Sequence, residues 1–195
     1  MNFMPRLAAG AIFAHDPKGE TPAPTLVGSC AAFTSRDIFL TAAHCVATDQ
    51  DLYVAIEGEP RGRRVIRRSI SPSTDIALLK CIPAELGHAS FDDQYFVGLS
   101  DVMFDGADYL CYGYPAEQSG GELLPVGRTI RGNVQRMLTY EGWGGRKYFA
   151  FELSAAAPPG LSGSAVAYTI APNSLVGVVT ANVDSYVLID RIEEV

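Results

Sequence analysis

The 195-residue chain carries 15 Lys and Arg against 22 Asp and Glu, a formal net charge of −7, and 48% of it is hydrophobic. That composition excludes a largely disordered chain and a binder of nucleic-acid phosphates, which needs an excess of cations. No apolar run is long enough to cross a bilayer as a helix, so no membrane partner is expected.

Short apolar runs alternate with Gly, Pro, Asp and Ser along the whole length, which predicts strands and turns. Leu7 to Ala14 follows Arg6 and reads as the first strand; the alternative is a secretion signal, for which the run is at the short limit and lacks a good small-x-small cleavage site. A reduced, cytoplasmic setting is the resulting expectation. Further strands are predicted at Val27–Phe33, Ile38–Thr41, Leu52–Ile56 and Ile76–Cys81, then at Tyr109–Tyr114, Thr129–Met137, Tyr148–Leu153, Ala165–Ile170 and Leu175–Thr180. Val46–Ala47 ends a one-turn helix, and Tyr186–Val195 fits either strand or helix. The polar stretch Phe91–Asp105 divides the chain into 1–97 and 98–195, each with enough strands for a small barrel. The expected fold is all-β: two adjacent antiparallel barrels, because closure removes exposed strand edges.

The four cysteines, Cys30, Cys45, Cys81 and Cys111, form no C-x-x-C pair, so neither a metal site nor any other cofactor is expected. Arg61, Arg63, Arg64, Arg67 and Arg68 gather five positive charges in one short stretch. They read as a solvated hairpin face; the alternative is an exosite that steers an acidic partner. His15 and His88 stand in polar contexts and read as surface residues.

Three segments carry candidate chemistry: Thr41-Ala42-Ala43-His44-Cys45, Asp75-Ile76-Ala77-Leu78-Leu79-Lys80 and Gly160-Leu161-Ser162-Gly163-Ser164-Ala165. Alone, each has a plain structural reading: a core histidine, a turn aspartate, a glycine-rich turn. Together, in the order His, Asp, Ser, they resemble the catalytic segments of the chymotrypsin-fold, trypsin-like serine peptidases. The resemblance runs from about Gly28 to about Leu188 and places the site in the cleft between the barrels.

The chemistry explains the residue types. A serine hydroxyl is a weak nucleophile and needs a base to take its proton. Histidine is the side chain whose ordinary pKa suits that task, and a buried carboxylate fixes its tautomer. The resemblance therefore implies catalytic His44, Asp75 and Ser162, with an oxyanion hole from the Gly160 and Ser162 amides. It implies a serine endopeptidase acting on proteins or peptides, as an enzyme or as the peptidase module of a regulated system with a protein partner. The alternative is a catalytically silent relative that binds peptides. The resemblance also puts Ala156 at the floor of the primary pocket and Thr180, Ala181 and Asn182 along its wall, with Asp184 and Ser185 behind. An Ala floor cannot select Lys or Arg as an acid there would; the alternative is that Asp184 restores a basic preference.

The family often joins the cysteines matching Cys30 and Cys45 in a disulfide; here the spacing is one residue shorter, and buried free thiols are expected instead. Members activated by zymogen cleavage carry an Asp before the nucleophile, where this chain has Leu161. The chain is thus closer to the bacterial and viral branches, and Arg6-Leu7 is not expected to be an activation site.

Overall fold

The computed structural model describes residues 4–16, 23–59, 61–83, 95–99, 104–119 and 122–180. Ala181, Asn182, Asp184, Ser185, His88, the Tyr186–Val195 segment and most of the predicted boundary stretch lie outside these residues.

Six antiparallel strands form a closed barrel: β1 (Ala9–His15), β2 (Thr25–Ala32), β3 (Ile38–Ala42), β4 (Asp51–Ile56), β5 (Arg63–Ile70) and β6 (Ile76–Cys81), in the order β1-β2-β3-β6-β5-β4. Alternation is clearest in β4 and β6, where Leu52, Val54 and Ile56, and Ala77, Leu79 and Cys81, turn inward onto Ile12, Cys30 and Phe39. Pro5 opens a 3₁₀ turn over Pro5–Ala8, so β1 starts later than the sequence suggested. His15 is the last residue of β1, not a loop residue, and its ring meets Tyr53 edge-on with centroids 6.3 Å apart.

The chain continues through β7 (Gly98–Leu99), β8 (Asp108–Gly113), a hairpin of β9 (Ala116–Ser119) and β10 (Glu122–Pro125), then β11 (Arg128–Glu141), β12 (Lys147–Leu153), β13 (Ala165–Tyr168) and β14 (Ala171–Val178). Six of these strands form a second sheet, β12-β11-β8-β13-β14-β7. The fold is thus all-β, a closed barrel beside a half-barrel, as the sequence led one to expect.

The two halves meet along a seam of small side chains. Ala8 and Ala31 of the first half pack with Phe96, Ala165, Ala167 and Leu175. Ala9 and Ala11 on β1 pack against Tyr112 and Tyr114. Alanines let the sheets approach closely, which holds the ends of β3, β6 and the β12–β13 connection near one another.

The arginine run is largely the exposed face that the sequence suggested, with Arg63 the exception. Arg63 is buried and pairs with Glu59 through Nε at 2.7 Å and Nη2 at 2.5 Å. Arg36 also reaches Glu59, at 2.9 Å, and the three side chains are 5–7% exposed. Arg68 donates to the carbonyl of Val46 at 3.0 Å. Arg61, Arg64, Arg67 and Arg68 are exposed, and Arg64 pairs with Asp51. The solvated-face reading thus holds for four of the five, and an exosite built on all five is corrected at Arg63, which is buried.

Candidate active site

The His44 segment is placed by strand pairing. β3 and β6 are hydrogen-bonded neighbours with Ala42 opposite Ile76. The residues that follow β3 and precede β6 consequently emerge at the same end of the barrel. After β3 the chain closes into a 3₁₀ turn, Ala43–Cys45, and the Ala43 amide donates to the Asp75 carbonyl at 3.2 Å. Ala42 and Ala43 are fully buried, so larger residues would not fit at the entry to the turn.

His44 and Asp75 meet twice. The Asp75 carboxylate lies 2.7 Å from His44 Nδ1 through Oδ2, and its Oδ1 accepts the His44 backbone N–H at 2.9 Å. The acid side chain is 2% exposed and the imidazole 30%, so one ring edge is held inside and the other faces solvent. The pKa of His44 is raised, first by the hydrogen bond to Asp75 and then by the neighbouring Cys45, against the opposing effect of burial.

Two arginines hold this corner. Arg68 closes the far end of the His44 turn at Val46. Arg146, from the β11–β12 hairpin, donates to the Ser71 and Thr74 carbonyls at 3.0 Å each and stacks on Trp143 at 4.4 Å. Ser71–Thr74 is the turn leading into Asp75, further tied by the Ser73 and Thr74 amides donating to Ser71 Oγ. On the same hairpin, Tyr148 donates to Thr180 Oγ1 at 3.4 Å.

Ser162 sits on the connection between β12 and β13. The Leu161 amide donates to the Pro158 carbonyl at 3.1 Å, closing a turn with Gly160 at φ +89°. Gly160 lies flat on the chain at Tyr114–Ala116: a Cβ there would be 2.6 Å from the Ala116 nitrogen and 2.7 Å from the Tyr114 oxygen. Gly163 has φ +85° and abuts the Ser29 carbonyl and Thr41 Oγ1. Both glycines are therefore required by conformation and by space.

The serine is brought to the histidine by the backbone. The Ser162 carbonyl accepts the Ser29 amide at 2.7 Å and lies 3.7 Å from Cys45 Sγ, the residue after His44. The Ser162 hydroxyl has no hydrogen bond to the imidazole in this state. Among the described residues, the Gly160 and Ser162 amides donate to no protein acceptor, leaving both N–H groups available. The Pro159 carbonyl accepts the Ala116 amide at 2.7 Å, which turns the Gly160 N–H of the same peptide to the opposite side.

Ala156 is exposed, while Ala155 and Ala157 are half-buried and Ala157 packs on the second core. Thr180 is half-buried beside Tyr148. Leu161 is buried, with no acid at its position. All four cysteines are free and buried. Burial pushes the thiols of Cys81 and Cys111 up to about 12 and that of Cys30 well above its usual value, so none of these three is poised as a nucleophile. Sequence reasoning missed Ser29, Arg68 and Arg146; a serine inside an otherwise apolar strand was the one available signal, and the arginines' partners lie far away in sequence.

The trypsin-like peptidase domain profile matches residues 28–178. The chain belongs to the trypsin-like peptidases. This trypsin-like peptidase is accordingly a serine endopeptidase, a hydrolase of peptide bonds. No curated protein sequence matches it significantly. Among solved structures, the active form of the Rv3671c protease from M. tuberculosis is similar at TM-score 0.68 and 19% identity, over 92% of this chain and 72% of that one. The HtrA-type protease AlgW, solved with a decapeptide, is similar at TM-score 0.68 and 20% identity. There the match covers 92% of this chain and 57% of AlgW. At these identities the likeness is one of fold.

Proposed function

We propose that His44, Asp75 and Ser162 form the catalytic triad and that the Gly160 and Ser162 amides form the oxyanion hole. The observation that carries this reading is the doubly bonded, buried Asp75 holding His44 at Nδ1, with the Ser162 backbone packed on the adjacent Cys45. Nδ1 keeps its proton and donates it to Asp75 Oδ2, which leaves Nε2 as the acceptor. Ser162 Oγ attacks the scissile carbonyl while its proton passes to Nε2, and the carbonyl oxygen takes up negative charge before the two amides. Nε2 then protonates the leaving amine, giving an acyl-enzyme. Water, losing its proton to Nε2, attacks the acyl group, and Nε2 returns that proton to Ser162 Oγ as the acyl bond breaks, restoring the neutral base and the free hydroxyl.

The substrate is read as a peptide or protein segment lying as an extended strand against Thr180 and the residues after it, Ala181 and Asn182. Ala156, with Ala155 and Ala157, supports a small apolar side chain before the scissile bond. AlgW's decapeptide supports a peptide ligand of this kind. Control by a protein partner, as a module of a larger system, belongs to the same proposal.

A fluorophosphonate probe tests the nucleophile. Wild-type protein should be labelled at Ser162, and Ser162→Ala should not be labelled at all. Labelling that survives the substitution removes Ser162 from the mechanism; wild type that never labels favours a silent peptide binder.

The base carries a pH signature. His44 must be neutral to accept a proton, and its pKa is raised above the ordinary 6.5. Activity should therefore rise with pH through an apparent pKa above 6.5, read from kcat/KM. An acid limb at or below 6.5 would contradict the Asp75 contact. The sign for stability is opposite: the protonated pair stabilises the fold fully below 6.5, and that contribution is lost as pH rises through the raised value.

A further inference from the structure

We infer that Ser29 is a positioning residue for the oxyanion hole. This rests on the proposed roles of Ser162 and Gly160. Ser29 lies on β2 in the first barrel, is fully buried, and its hydrogen bonds go to neither His44 nor Asp75. Its hydroxyl donates to the Gly160 carbonyl at 2.8 Å and accepts the Tyr114 amide at 2.8 Å. Its own amide donates to the Ser162 carbonyl at 2.7 Å, and its carbonyl accepts Thr41 Oγ1 at 2.7 Å. Every polar group of one buried residue is thus engaged, and two of its four bonds end on the loop that carries the nucleophile.

The location of those two bonds gives the role. The oxyanion donors are the N–H of the 159–160 peptide and the N–H of the 161–162 peptide. Between them lies the 160–161 peptide, whose carbonyl is the one Ser29 holds. Planarity means that fixing this carbonyl fixes the plane of the whole unit. The torsions on either side, at Gly160 and Leu161, then set the angle between the donors. Glycine at 160 has the widest choice of torsions, so the peptide following it is the one most in need of an external hold. The Ser29 hydroxyl supplies the hold from the opposite barrel, and the Tyr114 N–H strengthens it by polarising that hydroxyl. Without the hydroxyl, the Gly160 carbonyl and the Tyr114 amide lose a buried partner together, and the peptide is held only from its N–H side, by the Leu161–Pro158 turn bond, which leaves its carbonyl free to tilt.

A hydroxyl that only stabilised the fold would lower the melting temperature and leave turnover alone. A hydroxyl that aims the hole should alter the transition state specifically, because oxyanion donors act on the developing charge and not on the bound substrate. For Ser29→Ala, kcat on an N-succinylated tetrapeptide p-nitroanilide with alanine before the scissile bond should fall about 10–100-fold, below the roughly 10²–10³-fold of losing a donor outright. KM should stay within about twofold of wild type. The fluorophosphonate labelling rate should fall in parallel with kcat, since the phosphonyl oxygen occupies the same hole, and the acid limb of the pH profile should not move. Should Ser29→Ala fail to fold, Ser29→Cys, near in size and a weak donor, carries the same expectation. Wild-type kcat in the folded variant, whatever its melting temperature, overturns the inference, as does a displaced acid limb, which would mean that His44 had moved. Ser162→Ala run in parallel separates the two levels. Residual turnover there overturns the triad and the brace together, whereas an inactive Ser162→Ala beside a fully active Ser29→Ala overturns the brace alone.

Discussion

Replacing Asp75 with Asn should leave a folded protein whose kcat is lower by about four orders of magnitude, the loss seen when this substitution is made in the serine-protease template. The side chain is nearly unchanged in shape, so the amide oxygen can still accept the His44 backbone N–H at 2.9 Å. The other terminal atom is the problem. It lies 2.7 Å from Nδ1 and becomes an NH₂, which can only donate. The imidazole must then accept at Nδ1 and carry its proton on Nε2, the nitrogen meant to receive the proton of Ser162. The negative charge that would offset the imidazolium in the transition state is also lost. Burial compounds both effects, because the residue-75 side chain, at 2% exposure, has no solvent access through which water could repair the mismatch. Steady-state kinetics at neutral pH, with circular dichroism to verify folding, checks this; a variant within tenfold of wild type would show that another group orients His44.

Glu59→Ala should be the most destabilising of the charge removals, without touching any atom of the site. Arg63 grips the carboxylate with two nitrogens and Arg36 adds a third bond at 2.9 Å, all at 5–7% exposure. The same guanidiniums continue into the backbone, Arg63 donating to the Arg36 carbonyl at 2.7 Å and Arg36 to the Leu7 carbonyl. Truncating the shared acid leaves two buried cations facing each other without their counter-charge, at about 3–5 kcal/mol for a broken buried pair. For a chain of this length each kcal/mol moves the melting temperature by roughly 2–4 °C, so a drop of about 6–20 °C is expected in a calorimetric scan. A drop below about 2 °C would mean that the arginines find other partners or water.

The segments bearing His44, Asp75 and Ser162 were legible because each is a local pattern of small and glycine residues around one reactive side chain. The contacts that hold those segments were not. Ser29 reaches a carbonyl 131 positions away and Arg146 one 75 positions away, and nothing in a local window records either. β5 escaped notice as a strand because Arg63, Arg64, Arg67 and Arg68 erase the alternation that betrays β4 and β6. Nor does a run of arginines reveal that Arg63 points inward, since the acid that permits it lies in the preceding turn and the second cation a whole hairpin earlier. In the second sheet, two register shifts between β13 and β14 moved the strand boundaries away from those suggested by the apolar runs.

The alanine seam between the halves has a bearing on how this molecule can diverge. His44 and Asp75 are borne by one side of it and Ser162 by the other, so the spacing of the proposed triad is set by the thickness of a layer built from Ala8, Ala9, Ala11, Ala31, Ala165 and Ala167. That layer works as a shim. Lineages can vary the outer faces of both sheets at little cost, but a single added branch within the shim would tilt one half against the other and pull base from nucleophile. Variation there is confined to residues no larger than those present, whatever substrate the cleft comes to accept.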